Sequence, residues 1–392
     1  MTGDCIENLP QTEEIQKKVI DARTTLARYC LNLGYYADAG DAVAPVVDLC
    51  HALNYRKRLP AIYVALANHI VFAERYDEAR WAEAFRYYEE AARLAREERD
   101  YLSLWNAYVN LGGIAYSSIC EFNRGESCLK EILAMSETAG NAQGTVVAKS
   151  ILSGFIYVLS GRIDDAMRES HEALQIAITA DDPWMKSFGY THYGVSCFFK
   201  GLFGEAEECL KKGLSCGQRC DHAAGIRLVS RTLGDVQTEM GRYGEAQSSY
   251  DMGLAIAQPV PEWFHWAELS KYAARISGRL GPITLDLRRD LVESKVKANQ
   301  GSSAQLIGKI YLHIDDEHMD EAETWIRKAI DADERNRMPW HLAKDYALYA
   351  EFFQKKGDIP EAKEQLTKAI DLFRECGADG WVKKYEEELA QL

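Results

Sequence analysis

Proline is scarce in this chain of 392 residues, with only 9, and no stretch rich in glycine, serine and proline exceeds a few residues. That removes the flexible tethers on which separate domains are usually strung. An excess of basic charge is missing too: 46 Lys and Arg stand against 60 Asp and Glu, a net charge of −14. Non-specific nucleic-acid binding needs a basic face, so this balance argues against it. No apolar run approaches the roughly 20 residues of a membrane span. The most apolar stretch, Ala61 to Ala73, is broken by Asn68 and His69. The opening MTGDCIENLPQTEE has neither the basic nor the apolar region of a signal peptide. The chain therefore reads as soluble and cytoplasmic. Its ten cysteines, scattered from Cys5 to Cys376, read as reduced packing residues rather than a disulfide framework.

Catalytic motifs are also lacking. No GxxxxGK or GxGxxG phosphate loop occurs, and no HExxH helix. Cys209, Cys216, Cys220 and His222 place sulfur and imidazole at helical spacing, and zinc accepts both, but the short CxxC knuckle is absent. A helix turning small residues towards its neighbour accounts for them better. His313 and His318 flank Asp315, Asp316 and Glu317, which suit a solvated acidic turn. The sequence thus implies no metal, no cofactor and no catalytic residue.

What the chain does contain is repetition. GRIDDA at Gly161, GLFGEA at Gly201 and GRYGEA at Gly241 recur every 40 residues, and GDIPEA at Gly357 follows near three further periods. Upstream of Gly241, Ile226, Val229, Leu233 and Val236 share one helix face; downstream, Ala246, Tyr250, Leu254 and Ala257 do the same. Glycine suits the left-handed residue that ends a helix, and the acidic residues after it suit the start of the next. Each unit is helix, tight turn, helix.

Small residues at fixed places make the pattern resemble the tetratricopeptide repeat. In the first helix the small residue is Gly154, Gly194, Gly234 or Ala350. In the second, the pairs are Ala166 with Ala173, Ala206 with Gly213, Ala246 with Gly253, and Ala362 with Ala369. Weaker copies extend the register to about nine helix pairs. One lies near Leu26 to Leu49, one at Tyr63 to Ala91 with an insertion around Arg75 to Arg80, and one at Gly113 to Leu129. Another spans Gly308 to Ala329, with its turn lengthened by Asp315 to Glu317. A degenerate seventh pair falls between Glu262 and Asn299, its second half reading ITLDLRRDLVESKVKAN, and a capping helix runs from about Asp379 to Leu392. The resemblance implies an all-α fold: a right-handed α-α superhelix, a single solenoid over 1–392, with a change of curvature near 259–303. Stacking buries a continuous core that no pair could bury alone.

In that family the first helices line the concave side. Carrying the inward positions over gives Asn110 and Ile114, Ile151 and Phe155, Thr191 and Phe198, Arg231 and Asp235, then Lys271 and Arg275. An apolar strip followed by cations implies a protein or peptide partner, such as an amphipathic helix with an acidic portion. Those apolar residues also suit a superhelix tight enough to pack them together. Asn68 and Asn110 sit where a carboxylate clamp places asparagines, but Val64, Ala65, Ala107 and Leu111 replace its cations. The tryptophans Trp184, Trp263, Trp266, Trp325, Trp340 and Trp381 fall at packing positions, although groove anchors are also of this type.

The ending ECGADGWVKKYEEEL resembles the C-termini of bacterial multidomain signalling proteins that join a tetratricopeptide array to an ATPase or nucleotide cyclase. Three readings follow. One is a non-catalytic interaction scaffold. A second is the sensor array of such an ATPase or cyclase, whose catalytic domains are not in this chain. The third is a metal-dependent enzyme on an α-solenoid.

Overall fold

A computed structural model describes residues 12–256, 261–280 and 294–392, the side chains of 261–265 excepted. Every regular element among the described residues is helical. The chain divides into two compact units, Met1–Ala115 and, from Tyr116 onwards, Tyr116–Ala257 with Glu262–Leu392.

The first unit comprises α1 (Glu13–Leu33), α2 (Tyr36–Val43), α3 (Val47–Ala52), α4 (Leu59–Ala73), α5 (Glu78–Glu97) and α6 (Tyr101–Asn110). The Thr12 hydroxyl caps α1 by accepting from the Ile15 amide, and Gly34 ends it in the left-handed region. Asp21 joins α1 to the chain before α4, taking the Arg58 guanidinium at 2.7 Å and the Tyr55 hydroxyl at 3.1 Å. Between α4 and α5 the turn is lengthened at 74–77, where the repeat register requires an insertion. Ala84, Tyr88 and Ala91 on α5 are wholly buried, and the Tyr88 hydroxyl donates to Asn68 Oδ1 at 3.1 Å. Asn68 is therefore a core residue.

The second unit contains α7 (Phe122–Thr138), α8 (Ala142–Ile151), α9 (Ile163–Ala180), α10 (Pro183–Lys200), α11 (Phe203–Arg219), α12 (Ala223–Glu239) and α13 (Tyr243–Leu254). It continues with α14 (Pro261–Ser277), α15 (Lys297–Ile314), α16 (Met319–Arg335), α17 (Pro339–Lys356), α18 (Ile359–Glu375) and α19 (Asp379–Leu389). These match the expected pairs and cap. The second half of the seventh pair, at 281–293, lies outside the described residues, as does part of the 259–303 stretch. Ala166, Ala173, Ala206, Ala246, Ala362 and Ala369 are each fully enclosed. Helix approach is closest where the repeat places its small residue: a methyl group on Gly194 would come within 2.8 Å of Leu210 Cγ and 3.2 Å of the Ala206 carbonyl.

Two first helices contain a widened turn. π-Helical segments at Leu111–Tyr116 and Leu152–Tyr157 continue α6 and α8. In both pairs the span from the capping side chain to the turn (Asp100 to Cys120, Asn141 to Gly161) is one residue longer than Asp182 to Gly201 in the next pair. Caps and stacking fix both ends, so the extra residue is taken up inside the helix as a π turn. The caps themselves recur, with Asp100, Asn141 and Asp182 each accepting from the backbone amide three residues on.

The second unit is closed by its own C-terminal end. The Trp381 indole donates to the Phe198 carbonyl and the Trp340 indole to the Phe199 carbonyl, both at 2.9 Å. The Ile163 amide donates to the Cys376 carbonyl at 3.2 Å, and Lys200 Nζ donates to the Gly377 carbonyl at 2.6 Å. Gly201, at φ 86°, lies so close to Gly380 that an added methyl group would meet the Trp381 amide nitrogen at 2.5 Å. Helices α17 to α19 thus lie against the turns that follow α8, α10 and α12, an arrangement that nearest-neighbour stacking alone does not produce.

Candidate functional site

A cavity of about 510 Å³ opens among α12, α14, α15, α17 and α19, four of them first helices of their pairs. Helical spacing builds its walls. Arg231, Asp235 and Glu239 stand four apart on α12; Lys344, Leu348 and Glu351 follow three- and four-residue steps on α17. Trp266, Ser270, Ala273 and Ser277 form the α14 wall, and Leu306, Lys309 and His313 the α15 wall, with Lys384, Tyr385 and Glu388 arriving on α19.

The charges within it are mostly paired. Glu239 receives Lys344 at 2.7 Å and Lys384 at 2.6 Å. Burial opposes its charge, but Lys344, Lys384 and Lys309 outweigh that and hold the carboxyl well below the ordinary range. Asp235 accepts from the Tyr250 hydroxyl at 2.8 Å and pairs with Arg231 at 3.2 Å; burial dominates there and pushes its carboxyl up. Glu351 meets His313 at 3.0 Å. The Arg231 guanidinium lies over the Trp266 ring, 3.8 Å from its centroid, and such stacking stabilises by about 0.5–2 kcal/mol. Its Nε is buried without a partner, and so is Nδ1 of His341. Burial, reinforced by the charges of Arg231 and Lys344, lowers His341 to about 3, so its ring is neutral. Lys309 makes no hydrogen bond or ion pair among the described residues; its charge reaches Glu239 and Glu351 only through space.

Of the inward residues expected from the sequence, Phe198, Arg231 and Asp235 line the cavity. Phe198 is only 7% exposed, its ring 5.7 Å from Trp381 and 5.9 Å from Trp340, so it is packed rather than presented. Thr191 and Ile151 are buried, and the Thr191 hydroxyl donates to the Ser187 carbonyl at 2.6 Å. Phe155 is half-buried, 5.8 Å from the ring of His192, itself held near 3 by burial. Asn110 and Ile114 belong to the stretch closing the first unit, where the Asn110 amide donates to the Asn106 carbonyl at 2.8 Å. Lys271 and Arg275 point elsewhere: Lys271 pairs with Asp251 on α13, and Arg275 donates to the Leu280 carbonyl at 2.9 Å. The face α14 turns inward is that of Trp266, Ser270 and Ala273, offset from the register carried over from earlier pairs.

The sulfur and histidine clusters are dispersed. Cys220 donates to the Cys216 carbonyl, and His222 stacks 5.1 Å from Phe188. His318 turns to Asp315 at 2.6 Å while His313 turns to Glu351. No group of three His, Cys, Asp or Glu side chains placed to hold a metal occurs among the described residues, and no described helix is long and apolar enough to cross a membrane.

Lys309, Glu239, Lys344, Lys384 and His341 were missed by the sequence reading. A usable signal existed for one of them: Lys309 follows the small residue Gly308 as Asp235 follows Gly234, so the same register step puts it on the inner face.

No protein-family model matches the chain. Regulatory protein AfsR of Streptomyces coelicolor is 28% identical over 126 residues, which is 31% of this chain. The match spans only 13% of AfsR's own length. Among solved structures, the Rap conjugation gene regulator of plasmid pLS20, in complex with the Phr* peptide, aligns at a TM-score of 0.49 with 14% identity, covering 92% of this chain and 96% of Rap. The apo quorum sensor NprR from B. thuringiensis aligns at 0.47 with 13% identity, covering 91% and 99%. The described residues of this chain form an all-helical array of repeated pairs.

Proposed function

We propose that the chain is a non-catalytic binding scaffold that holds a short peptide or protein segment in the cavity of its second unit. The observation that carries this is the cavity itself, walled by first helices and furnished with the Trp266 indole and, among the described residues, with an ammonium and two buried nitrogens that lack partners. Its volume lies within the about 300–1,000 Å³ of ligand sites. A helix is about 10–12 Å wide and rises 5.4 Å per turn, so roughly one turn fits. An extended segment therefore suits it better than a long amphipathic helix. The solved complex of Rap with a peptide is consistent with this reading.

Leu306 stands half-buried on the cavity wall, where extra bulk projects into the space. Leu306→Trp is expected to lower retention of a labelled random pentapeptide pool about tenfold or more, with helicity and melting unchanged. Retention equal to that of the native chain would overturn the proposal.

A second reading, favoured by the match to a short part of a much longer regulatory protein, makes this cavity the sensor of a larger signalling chain. An ATPase or cyclase reading frame continuous with this one at its 5′ side would distinguish it.

A further inference from the structure

We propose that the cavity recognises a carboxylate, seated on Lys309, with the adjoining apolar side chain of the same peptide held against Trp266. The inference rests on the peptide-binding reading above and specifies its chemistry.

The carboxylates in the wall already have partners. Two lysines hold Glu239, Arg231 and Tyr250 hold Asp235, His313 meets Glu351, and Gln354 donates to Glu388 at 3.2 Å. The donors are left over. Among the described residues Lys309 carries three N–H groups and no acceptor, and Arg231 Nε, on a residue 9% exposed, is unpartnered. The positive charge acting on His341 is that of Arg231 and Lys344, which places these groups around one space. A buried donor without an acceptor is costly, so an acceptor-only group arriving there is favoured over a cation or a neutral amide. Trp266 lies beneath Arg231 and, with Ala273 and Leu306, gives the same space an apolar wall. That combination favours an anion attached to an apolar body over a bare inorganic ion.

The carboxylate could be a chain terminus or an Asp or Glu side chain, and three acetylated random pentapeptide pools without Lys or Arg separate the sources. The first keeps a free C-terminus but lacks Asp and Glu. The second is C-terminally amidated and contains them, and the third is amidated and lacks them. Equilibrium dialysis of the full chain, read by mass spectrometry, is expected to retain the first or second pool about tenfold over the third. Lys309→Met is expected to erase that preference while the far-ultraviolet helicity of the chain is kept, since Lys309 makes no hydrogen bond or ion pair among the described residues, and Lys309→Arg is expected to keep it. Equal retention of all pools, or a preference that survives in Lys309→Met, overturns the carboxylate seat. If that binding is still lost in Leu306→Trp, the peptide-binding reading stands without it. Retention of no pool overturns both.

Discussion

Asp333 on α16 and Asp345 on α17 bring two fully enclosed carboxyl groups together, beneath Gly301 of α15. Gln305 donates to Asp345 Oδ1 at 2.7 Å, while both oxygens of Asp333 and the other of Asp345 have no donor. A proton held between the carboxyls supplies the missing donor. Burial pushes Asp333 up to about 7, and burial with the charge of Asp333 raises Asp345 well above the carboxyl range. Both pKa values are raised, so the folded state binds more protons than the unfolded one. The stability this confers is full below 3.8 and is lost as pH rises, through about 7 for Asp333 and further for Asp345. Urea unfolding is expected to give lower stability at pH 8 than at pH 7, by on the order of 1 kcal/mol per proton and pH unit. Asp345→Asn should flatten that slope, because an amide donates to Asp333 without needing the shared proton. An unchanged slope would show that the pair stays ionised. Neither this pair nor the closing of the cavity was legible in the sequence, where Asp333 and Asp345 stand among ordinary charged helix positions. Arg231 and Asp235 were legible because an inward register could be counted from Gly234. Lys271 and Arg275 were not, because the degenerate seventh pair gives no reliable small residue from which to count.

Turns that share one motif carry unequal loads. Gly201 and Gly241 occupy the same place in consecutive repeats, at φ 86° and 72°. Nothing lies within 4 Å of the position a methyl group would take on Gly241, whereas on Gly201 it would strike the backbone of Gly380 and Trp381. Gly241→Ala is expected to cost only the left-handed penalty, about 1–2 kcal/mol. Gly201→Ala is expected to add about 1–3 kcal/mol for forced packing. Urea midpoints of the two variants measure the difference, and equal losses would mean that the Gly201–Gly380 contact is dispensable. The repeat motif predicted both left-handed turns but could not indicate that one of them is also a contact surface, since the partner lies far along the chain. The π turns were equally hidden: a one-residue lengthening shows in sequence as a shift in cap spacing, but where the helix absorbs it depends on stacking.

At the scale of the second unit, α19 acts on more than the pair before it. Trp381 is wholly enclosed and bonded to the carbonyl of Phe198, and Lys384 with Lys344 holds Glu239. Removing Asp379–Leu392 is therefore expected to raise hydrogen exchange at Phe198–Leu202 and at the end of α12, as well as in α17 and α18. In an array stabilised by neighbours alone, the loss would stop at α18. Exchange confined to α17 and α18 would show the long-range contacts to be incidental. The stacked-pair architecture followed from the recurrence of small residues, which is a local property. The return of the last helices to the turns near residues 161, 201 and 241 is set by the accumulated twist of several pairs, and no single repeat encodes it.

That return has a consequence for biosynthesis. The carbonyls of Phe198 and Phe199 find their indole donors 183 and 141 positions later in the chain, respectively. At about 5–20 residues per second, a ribosome delivers those partners many seconds after α10 has emerged. The early pairs can coil and stack as they are made, yet their turn edges stay uncovered until α17 to α19 have emerged. Closure of the second unit thus waits for segments far apart in the chain and is slowed by the entropy of joining them.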